Sequence, residues 1–322
     1  MKEQVNFGHG VACRTAAVLL ALLLLAVAGC STGVEVRPQE EEEMVDTGNE
    51  PGVEHVPSAD EVSPETARLP TPPPKPKVTD AASGTVADAG EFVPFYEPPR
   101  HLSQYGWLER DFKSARVLEN IAERLNSELA LKSNVTLSFR ECGVVNAMYE
   151  PDKHRVSMCY EYVSFFQNLF VQSGGSAEAA ASGIKGAVHY TLYHEIGHAL
   201  IHTLDLPVTG REEDVVDQLS TYLLVEQGGE EGEEMALSGA YFWYLLAQRN
   251  RQVGVGQTYW DEHSTSEQRF FNSICWLYGS NPQKYRGLVN SVLPTERAER
   301  CPNEYRRFVK GWRNALSPFI KH

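Results

Sequence analysis

The residues of this chain that could do chemistry are concentrated in the stretch YHEIGHALIHT, residues 193–203. His194 and His198 are four residues apart, and residues at positions i and i+4 share one face of an α-helix. Two imidazoles on one face can bind one metal ion, and Glu195 can accept the proton of a water activated there. The motif therefore predicts a hydrolytic metal site. A helix that carries two surface histidines is the ordinary alternative.

The third metal ligand distinguishes the classes of HExxH peptidase. The metzincin pattern requires a glycine and a histidine where this chain has Ile201 and Leu204, so it is excluded. The gluzincin pattern requires a glutamate on a following helix and an acidic residue one turn later, and Glu213 and Asp217 have that spacing. We therefore expect Glu213 to complete a zinc site and Asp217 to accept the outward ring N–H of a ligand histidine.

Alternatives remain open for this acidic segment. Acidic residues are favoured at any helix N-terminus, and Asp214 is the main rival of Glu213 as a ligand. His202 continues the histidine stripe, but a fourth protein ligand would close the coordination position that water needs. We therefore interpret His202 as peripheral.

Amide hydrolysis also needs a donor that stabilises the developing oxyanion. Our candidate is His263, because Ser264-Thr265-Ser266-Glu267 fits a capping box and places His263 just outside a helix N-terminus. A loop histidine without a catalytic role is the alternative, and Tyr190, Tyr193 and Tyr259 are weaker candidates.

The helices that must position these groups can be outlined from the sequence. The motif helix begins within residues 177–186, where Gly183 and Gly186 each weaken a helix by about 1 kcal/mol relative to Ala, and it ends near Thr203. Thr209-Gly210-Arg211-Glu212 fits a capping box that opens the next helix, which runs to about residue 225.

The remaining elements predict an α+β fold with a small antiparallel sheet and a mostly helical C-terminal part. Alternation over residues 135–139 predicts a strand, and residues 144–149 and 155–159 predict a hairpin. Residues 228–234 predict a polar loop. Apolar periodicity predicts helices at 112–131, 160–171, 235–249, 264–278, 282–292 and 303–316.

The first thirty residues predict export. Lys2 and Arg14 precede an apolar run at 16–28, which is too short to span a bilayer and suits a signal peptide at residues 1–29. Val-Ala-Gly-Cys at 27–30 resembles a bacterial lipobox, so we expect lipid on Cys30 and a membrane-anchored protein of the cell envelope, in the outer membrane if the cell has one. Ordinary secretion with cleavage nearby is the alternative.

Residues 30–90 predict a disordered acidic, proline-rich tether. Positions 31–90 hold thirteen Asp/Glu, four Lys/Arg, nine Pro and no aromatic residue, a composition that cannot bury enough apolar surface to fold. Aromatic residues begin at Phe92, and we expect one globular domain at 91–322. The chain has a net charge of −14, most of it in the tether, so nucleic acid is not an expected partner.

Four cysteines remain after Cys13 leaves with the signal peptide and Cys30 takes lipid. In an exported protein they suggest two disulfides, for which three connectivities exist. The simplest connectivity pairs the cysteines that are neighbours in sequence, Cys142–Cys159 and Cys275–Cys301. A cysteine-based metal site is the alternative, although the chain has no CxxC.

Longer blocks of sequence resemble a family of bacterial metallopeptidases named as a domain of unknown function, which shares a core with thermolysin-like gluzincins. The likeness covers most of 91–322 and includes the blocks at 142–161, 194–201, 210–218 and 262–279. It implies a zincin fold with His194, His198 and Glu213 as zinc ligands and Glu195 as base. By the same analogy, residues 144–149 form the sheet edge that pairs with a peptide backbone.

The leading hypothesis is therefore a lipid-anchored zinc peptidase that hydrolyses peptides or proteins in the cell envelope. The main alternative is a catalytically silent envelope lipoprotein that uses the same fold as a binding or assembly module, although such a module has no need of Glu195. Hydrolysis of a non-peptide amide is a third possibility.

Overall fold

The computed structural model describes residues 88–256 and 259–321. The predicted signal peptide, the lipidation site Cys30 and nearly all of the predicted tether lie outside these residues. Within the described ranges, no helix is both long enough and apolar enough to cross a bilayer.

One four-stranded sheet contains β1 (Phe92–Tyr96), β2 (Val135–Arg140), β3 (Ala147–Glu150) and β4 (Arg155–Cys159), in the order β1-β2-β4-β3. The β3–β4 hairpin is antiparallel, as predicted. However, β2 runs parallel to both β1 and β4, so the expectation of a wholly antiparallel sheet is wrong. Two helices between β1 and β2 form a crossover connection of the kind that parallel pairing needs.

Helices make up most of the described chain and confirm the α+β class. They are α1 (Leu102–Ser114), α2 (Val117–Glu128), α3 (Tyr160–Gln172), α4 (Ala177–Leu204), α5 (Glu212–Gln227), α6 (Gly229–Gln252), α7 (Ser266–Ser280), α8 (Thr295–Ala298) and α9 (Cys301–Leu316).

Three of the predicted elements differ in the structure. The helix predicted at 112–131 is broken between α1 and α2, where Arg116 adopts a left-handed conformation (φ 53°). The helical spacing of apolar residues continues across the break and so does not reveal it. A residue distant in sequence is involved there, because the Tyr96 hydroxyl accepts the Leu118 N–H in the first turn of α2. The helix predicted at 282–292 is reduced to one 3₁₀ turn at Arg286–Leu288. The loop predicted at 228–234 is the first turns of α6, where Glu230 and Glu231 complement the helix dipole.

The long helix α4 carries the HExxH motif through the middle of the core, and most of its residues are buried. The Ser176 side chain caps its start by accepting the Ala179 N–H, and its end is marked by Asp205 in a left-handed conformation (φ 55°). The glycine that weakens the helix at position 186 allows close packing, because a Cβ there would lie 2.3 Å from Ser238 of α6.

Both predicted disulfides are present in the structure. Cys142–Cys159 links the segment before β3 to the end of β4, and Cys275–Cys301 joins α7 to α9. All four cysteines of the described residues are therefore oxidised, which removes the thiolates that a cysteine-based metal site would need.

Candidate metal site

Helix α4 places both motif histidines on one face, with their ring centroids 5.1 Å apart. Helix α5 brings Glu213 against them. Oε2 of Glu213 lies 3.0 Å from Nε2 of His194, and its Oε1 lies 3.4 Å from Nε2 of His198. One potential ligand atom from each of the three residues lies within 4.8 Å of the other two. The structure thus brings together the three residues predicted from spacing.

A glycine within the motif permits this approach of the two helices. A Cβ at Gly197 would lie 2.8 Å from a methyl group of Val216 on α5, closer than side chains tolerate. The absence of a side chain at position 197 therefore lets the first turns of α5 reach the motif.

Each motif histidine is oriented by a carboxylate on its other ring nitrogen. Nδ1 of His194 lies 2.8 Å from Oδ1 of Asp217, the partner predicted from spacing. Nδ1 of His198 lies 2.7 Å from Oε1 of Glu212. The capping box that the sequence predicts between Thr209 and Glu212 is wrong, because the helix has Arg211 at its N-cap position and no side-chain cap. Since a carboxylate accepts a hydrogen bond from each Nδ1, both Nε2 atoms are left to face Glu213.

Arg269 of α7 is the residue of this site that the sequence analysis missed. Its Nε and Nη2 donate to the two carboxylate oxygens of Asp217 at 2.7 and 2.6 Å, and its guanidinium lies 3.5 Å from the ring centroid of Trp243. Burial alone would raise the pKa of Asp217, but Arg269 and His194 outweigh burial and lower it to about 2. A charged residue in a helix of mostly apolar residues (RFFNSICWLYG) was the available signal.

His263 also reaches the site, from the loop between α6 and α7. Its Nε2 lies 3.0 Å from Oε2 of Glu213, and its Nδ1 lies 3.0 Å from Oδ1 of Asp261. Its ring stacks nearly parallel to that of His194, with centroids 6.5 Å apart. The adjacent Glu213 carboxylate raises the pKa of His263, against the opposing effect of burial.

The loop that carries His263 is tied to the start of α5. Arg211 donates to the main-chain carbonyls of Asp261 and Glu262, each at 2.9 Å. The Ser264 hydroxyl donates to Asp214 at 2.6 Å, so Asp214 holds the loop and lies outside the ligand cluster. Because Ser264 is used in this way, the cap of α7 is Thr265, whose capping box pairs with Gln268. The predicted box is therefore displaced by one residue.

The remaining residues considered from sequence have other partners. His202 lies with Nδ1 2.8 Å from the Tyr149 hydroxyl, outside the ligand cluster. The Tyr190 hydroxyl is 3.3 Å from the Ser273 hydroxyl, and the Tyr193 hydroxyl accepts from Arg124. Tyr259 is largely exposed to solvent.

The cluster opens into a cleft of about 650 Å³. Residues 146–149, which include most of β3, line it together with Glu195. β3 is an edge strand, and no strand of the described residues pairs with its other side. Burial raises the pKa of Glu195, and this effect is opposed by His194 and His198. A buried carboxylate with a raised pKa, next to a possible metal site, has the properties of a general base.

The donor set fits a divalent metal ion. Oε2 of Glu213 is buried and makes no well-aligned hydrogen bond, although Nε2 of His194 and Nε2 of His263 each lie 3.0 Å away. This oxygen is close to two ring nitrogens, but neither directs an N–H group at it. A metal ion bound by the oxygen and the histidine nitrogens together would satisfy it better. Two imidazoles and one carboxylate are a frequent ligand set of catalytic zinc.

Comparison with known proteins agrees with this chemistry. The profile of the family DUF4344, described as "Putative metallopeptidase", matches residues 96–316. That range contains the ligand cluster, Glu195, His263 and Arg269. Searches of curated proteins and of solved structures find no match.

Proposed function

The chain belongs to the metallopeptidase family DUF4344, and on that premise we propose that it is a gluzincin-type zinc peptidase of the cell envelope. The observation that carries this proposal is the convergence of two Nε2 atoms and one carboxylate at the wall of an open cleft. His194, His198 and Glu213 hold the metal in this proposal.

When bound, zinc supplies a Lewis acid that polarises the scissile carbonyl and acidifies water. Glu195 accepts the proton of the attacking water and delivers it to the leaving amine, a role that its burial beside the ligands supports. His263 donates a hydrogen bond to the oxyanion, with its ring orientation maintained by Asp261. The unpaired edge of β3 offers backbone donors and acceptors to an extended peptide.

The location in the envelope rests on the N-terminal sequence. The lipobox-like residues 27–30 and the tether support a protein held at a membrane by lipid on Cys30, with its catalytic domain facing the periplasm or the exterior. Metabolic labelling with a fatty acid, compared between wild type and Cys30→Ser, tests this location.

Substitution of the base tests the mechanism. Glu195→Gln should retain zinc, because Glu195 is not a ligand, and should cleave peptides about 10²- to 10⁴-fold more slowly. Zinc content and cleavage of an unbiased peptide library are the measurements, with His194→Ala as the variant that loses zinc. A Glu195→Gln enzyme as fast as wild type would exclude the proposed proton transfer. Zinc-loaded wild type that is inert on proteins and cell-wall peptides would favour a binding module.

The third ligand has its own test. Glu213→Ala should lose zinc, whereas Asp214→Ala should keep it, because Asp214 is bonded to Ser264 rather than directed at the histidines. Zinc stoichiometry after dialysis distinguishes the two assignments. Retention by Glu213→Ala and loss by Asp214→Ala would reverse them.

A further inference from the structure

Two apolar side chains are exposed where the sheet edge enters the cleft. Val144 and Val145, with 52% and 56% of their surfaces exposed, directly precede the cleft-lining residues 146–149. The segment that carries them is anchored at Cys142 by its disulfide and by the Glu161 carboxylate, which accepts the N–H of Cys142 at 3.1 Å. These two valines therefore place an exposed apolar surface next to the cleft in the chain.

A second apolar pair adjoins the cleft beside His263. Tyr259 and Trp260 have 82% and 88% of their surfaces exposed, and they precede the cleft-lining residues Glu262 and His263 by two to four positions. Single exposed apolar residues are ordinary, but large aromatic side chains left in water beside a cleft are typical of binding surfaces.

The charged side chains of the cleft are mainly acidic. Asp205, Glu212 and Glu262 line it, and within the described residues none of the three forms an ion pair with a Lys or Arg. Arg269 is the one Lys or Arg among the described lining residues, and its charge is taken up by Asp217. A divalent metal offsets Glu195 and Glu213, which leaves three carboxylates without a countercharge.

From these surfaces we infer the substrate class: an extended polypeptide segment that combines apolar with basic side chains and contains few acidic ones. The inference rests on the proposed function, because it assumes that a peptide occupies the cleft. Apolar side chains remove the exposed valines and aromatic rings from water, which favours binding in proportion to the apolar area buried. Lysine and arginine side chains supply the countercharge to the three carboxylates, whereas acidic side chains are repelled by them.

Direct binding to a non-cleaving form tests this class. The full chain with Glu195→Gln, loaded with zinc, is titrated with three labelled peptides of about twelve residues: one of leucine and lysine, one with each lysine replaced by glutamate, and one with each leucine replaced by serine. We expect the leucine–lysine peptide to bind about tenfold or more tightly than either of the others. Its affinity should fall as salt is raised.

Matched variants in the same background assign the effect to the surface. Asp205→Asn and Glu262→Gln should each weaken the leucine–lysine peptide several-fold, and Val145→Ser and Trp260→Ser should do so with little dependence on salt. Glu299→Gln and Val171→Ser change exposed residues that do not line the cleft and should leave affinity unchanged.

Several results would overturn the inference. These are equal binding of the lysine and glutamate peptides, or a loss of affinity in the control variants as large as that in the cleft variants. Failure of the proposed function gives a different result. Wild type would then cleave none of the peptides, while Glu195→Gln still discriminates between them. If wild type cleaves all three alike, the peptidase proposal stands and the substrate class is wrong.

Discussion

The two motif histidines are held by carboxylates in opposite environments. Asp217, which orients His194, has 3% of its side chain exposed and is bound by the buried fork of Arg269. Glu212, which orients His198, has 48% exposed, and within the described residues it has no Lys or Arg partner. The first carboxylate is part of the folded core, whereas the second is a surface residue at the start of α5.

This difference separates two functions that a ligand-orienting carboxylate can combine. Removal of one partner of a buried ion pair strongly destabilises the fold, because the other charge stays buried without compensation. An exposed partner contributes little to stability and acts mainly on the ring that it orients. We therefore expect substitutions at Asp217 to affect both fold and metal, and substitutions at Glu212 to affect chiefly the metal.

The largest effect should come from breaking the buried pair. Asp217→Ala leaves the Arg269 guanidinium buried and unpaired, and should lower the free energy of unfolding by about 3–5 kcal/mol. Urea denaturation of the metal-free protein measures this loss. Replacing both partners with apolar residues, as in the double variant Asp217→Leu/Arg269→Met, should recover much of it. A double variant no more stable than Asp217→Ala would show that the loss does not come from the unpaired arginine.

Substitutions at Asp217 and Glu212 should differ less in their effect on zinc affinity than in their effect on stability. Removal of a carboxylate that orients a ligand histidine typically weakens metal binding about 10- to 100-fold. We expect Asp217→Asn to lie at the upper end of this range and Glu212→Gln at the lower end, because solvent can replace the exposed partner. Competition with a chromogenic chelator gives both constants. Equal losses would mean that burial has no bearing on ligand orientation.

Acid should lower the free energy of unfolding of the metal-free protein through protonation of the buried Asp217. The pKa of Asp217 is lowered to about 2 in the folded state, below the usual value of about 3.9 in unfolded chains. The unfolded state therefore binds more protons between these values, and stability falls as the pH drops from about 4 towards 2, by about 3 kcal/mol at most. Stability curves for wild type and Asp217→Asn should converge over this range. Parallel curves would assign acid sensitivity to other groups.

The smallest effect on stability should come from substitution of the exposed Glu212. Glu212→Gln should change the free energy of unfolding by less than about 1 kcal/mol. Any change should shrink further as salt is raised to about 1 M, where the Debye length is about 3 Å. Denaturation at low and high salt measures this. A loss as large as that of Asp217→Ala would contradict the distinction between the two environments.

Local spacing accounts for the groupings of residues that were predicted and that the structure contains. His194 with His198 and Glu213 with Asp217 are each four residues apart, and helical geometry alone places the members of such a pair on one face. The hairpin of β3 and β4 and the disulfide that closes it also join residues that are near in sequence. For these features, the sequence already contains both partners within a short range.

Competition between distant partners accounts for the errors. Glu212 is available for a cap, but His198 takes it, and Ser264 is available for a cap, but Asp214 takes its hydroxyl. A local pattern shows which bonds a side chain can make, and packing decides which of them it makes. The parallel pairing of β1 with β2 is likewise set by the crossover through α1 and α2.

The sequence by itself thus determined the candidate metal-binding residues, their pairing along helices and the α+β class, because these follow from short-range periodicity. The tertiary structure alone decided that the Arg269 fork binds Asp217, that Glu212 orients His198, and that the loop carrying His263 is tied to α5. Arg269 and Asp217 are 52 residues apart along the chain. No local pattern relates such positions, and the burial that makes their pairing necessary exists only once α4, α5 and α7 are packed together.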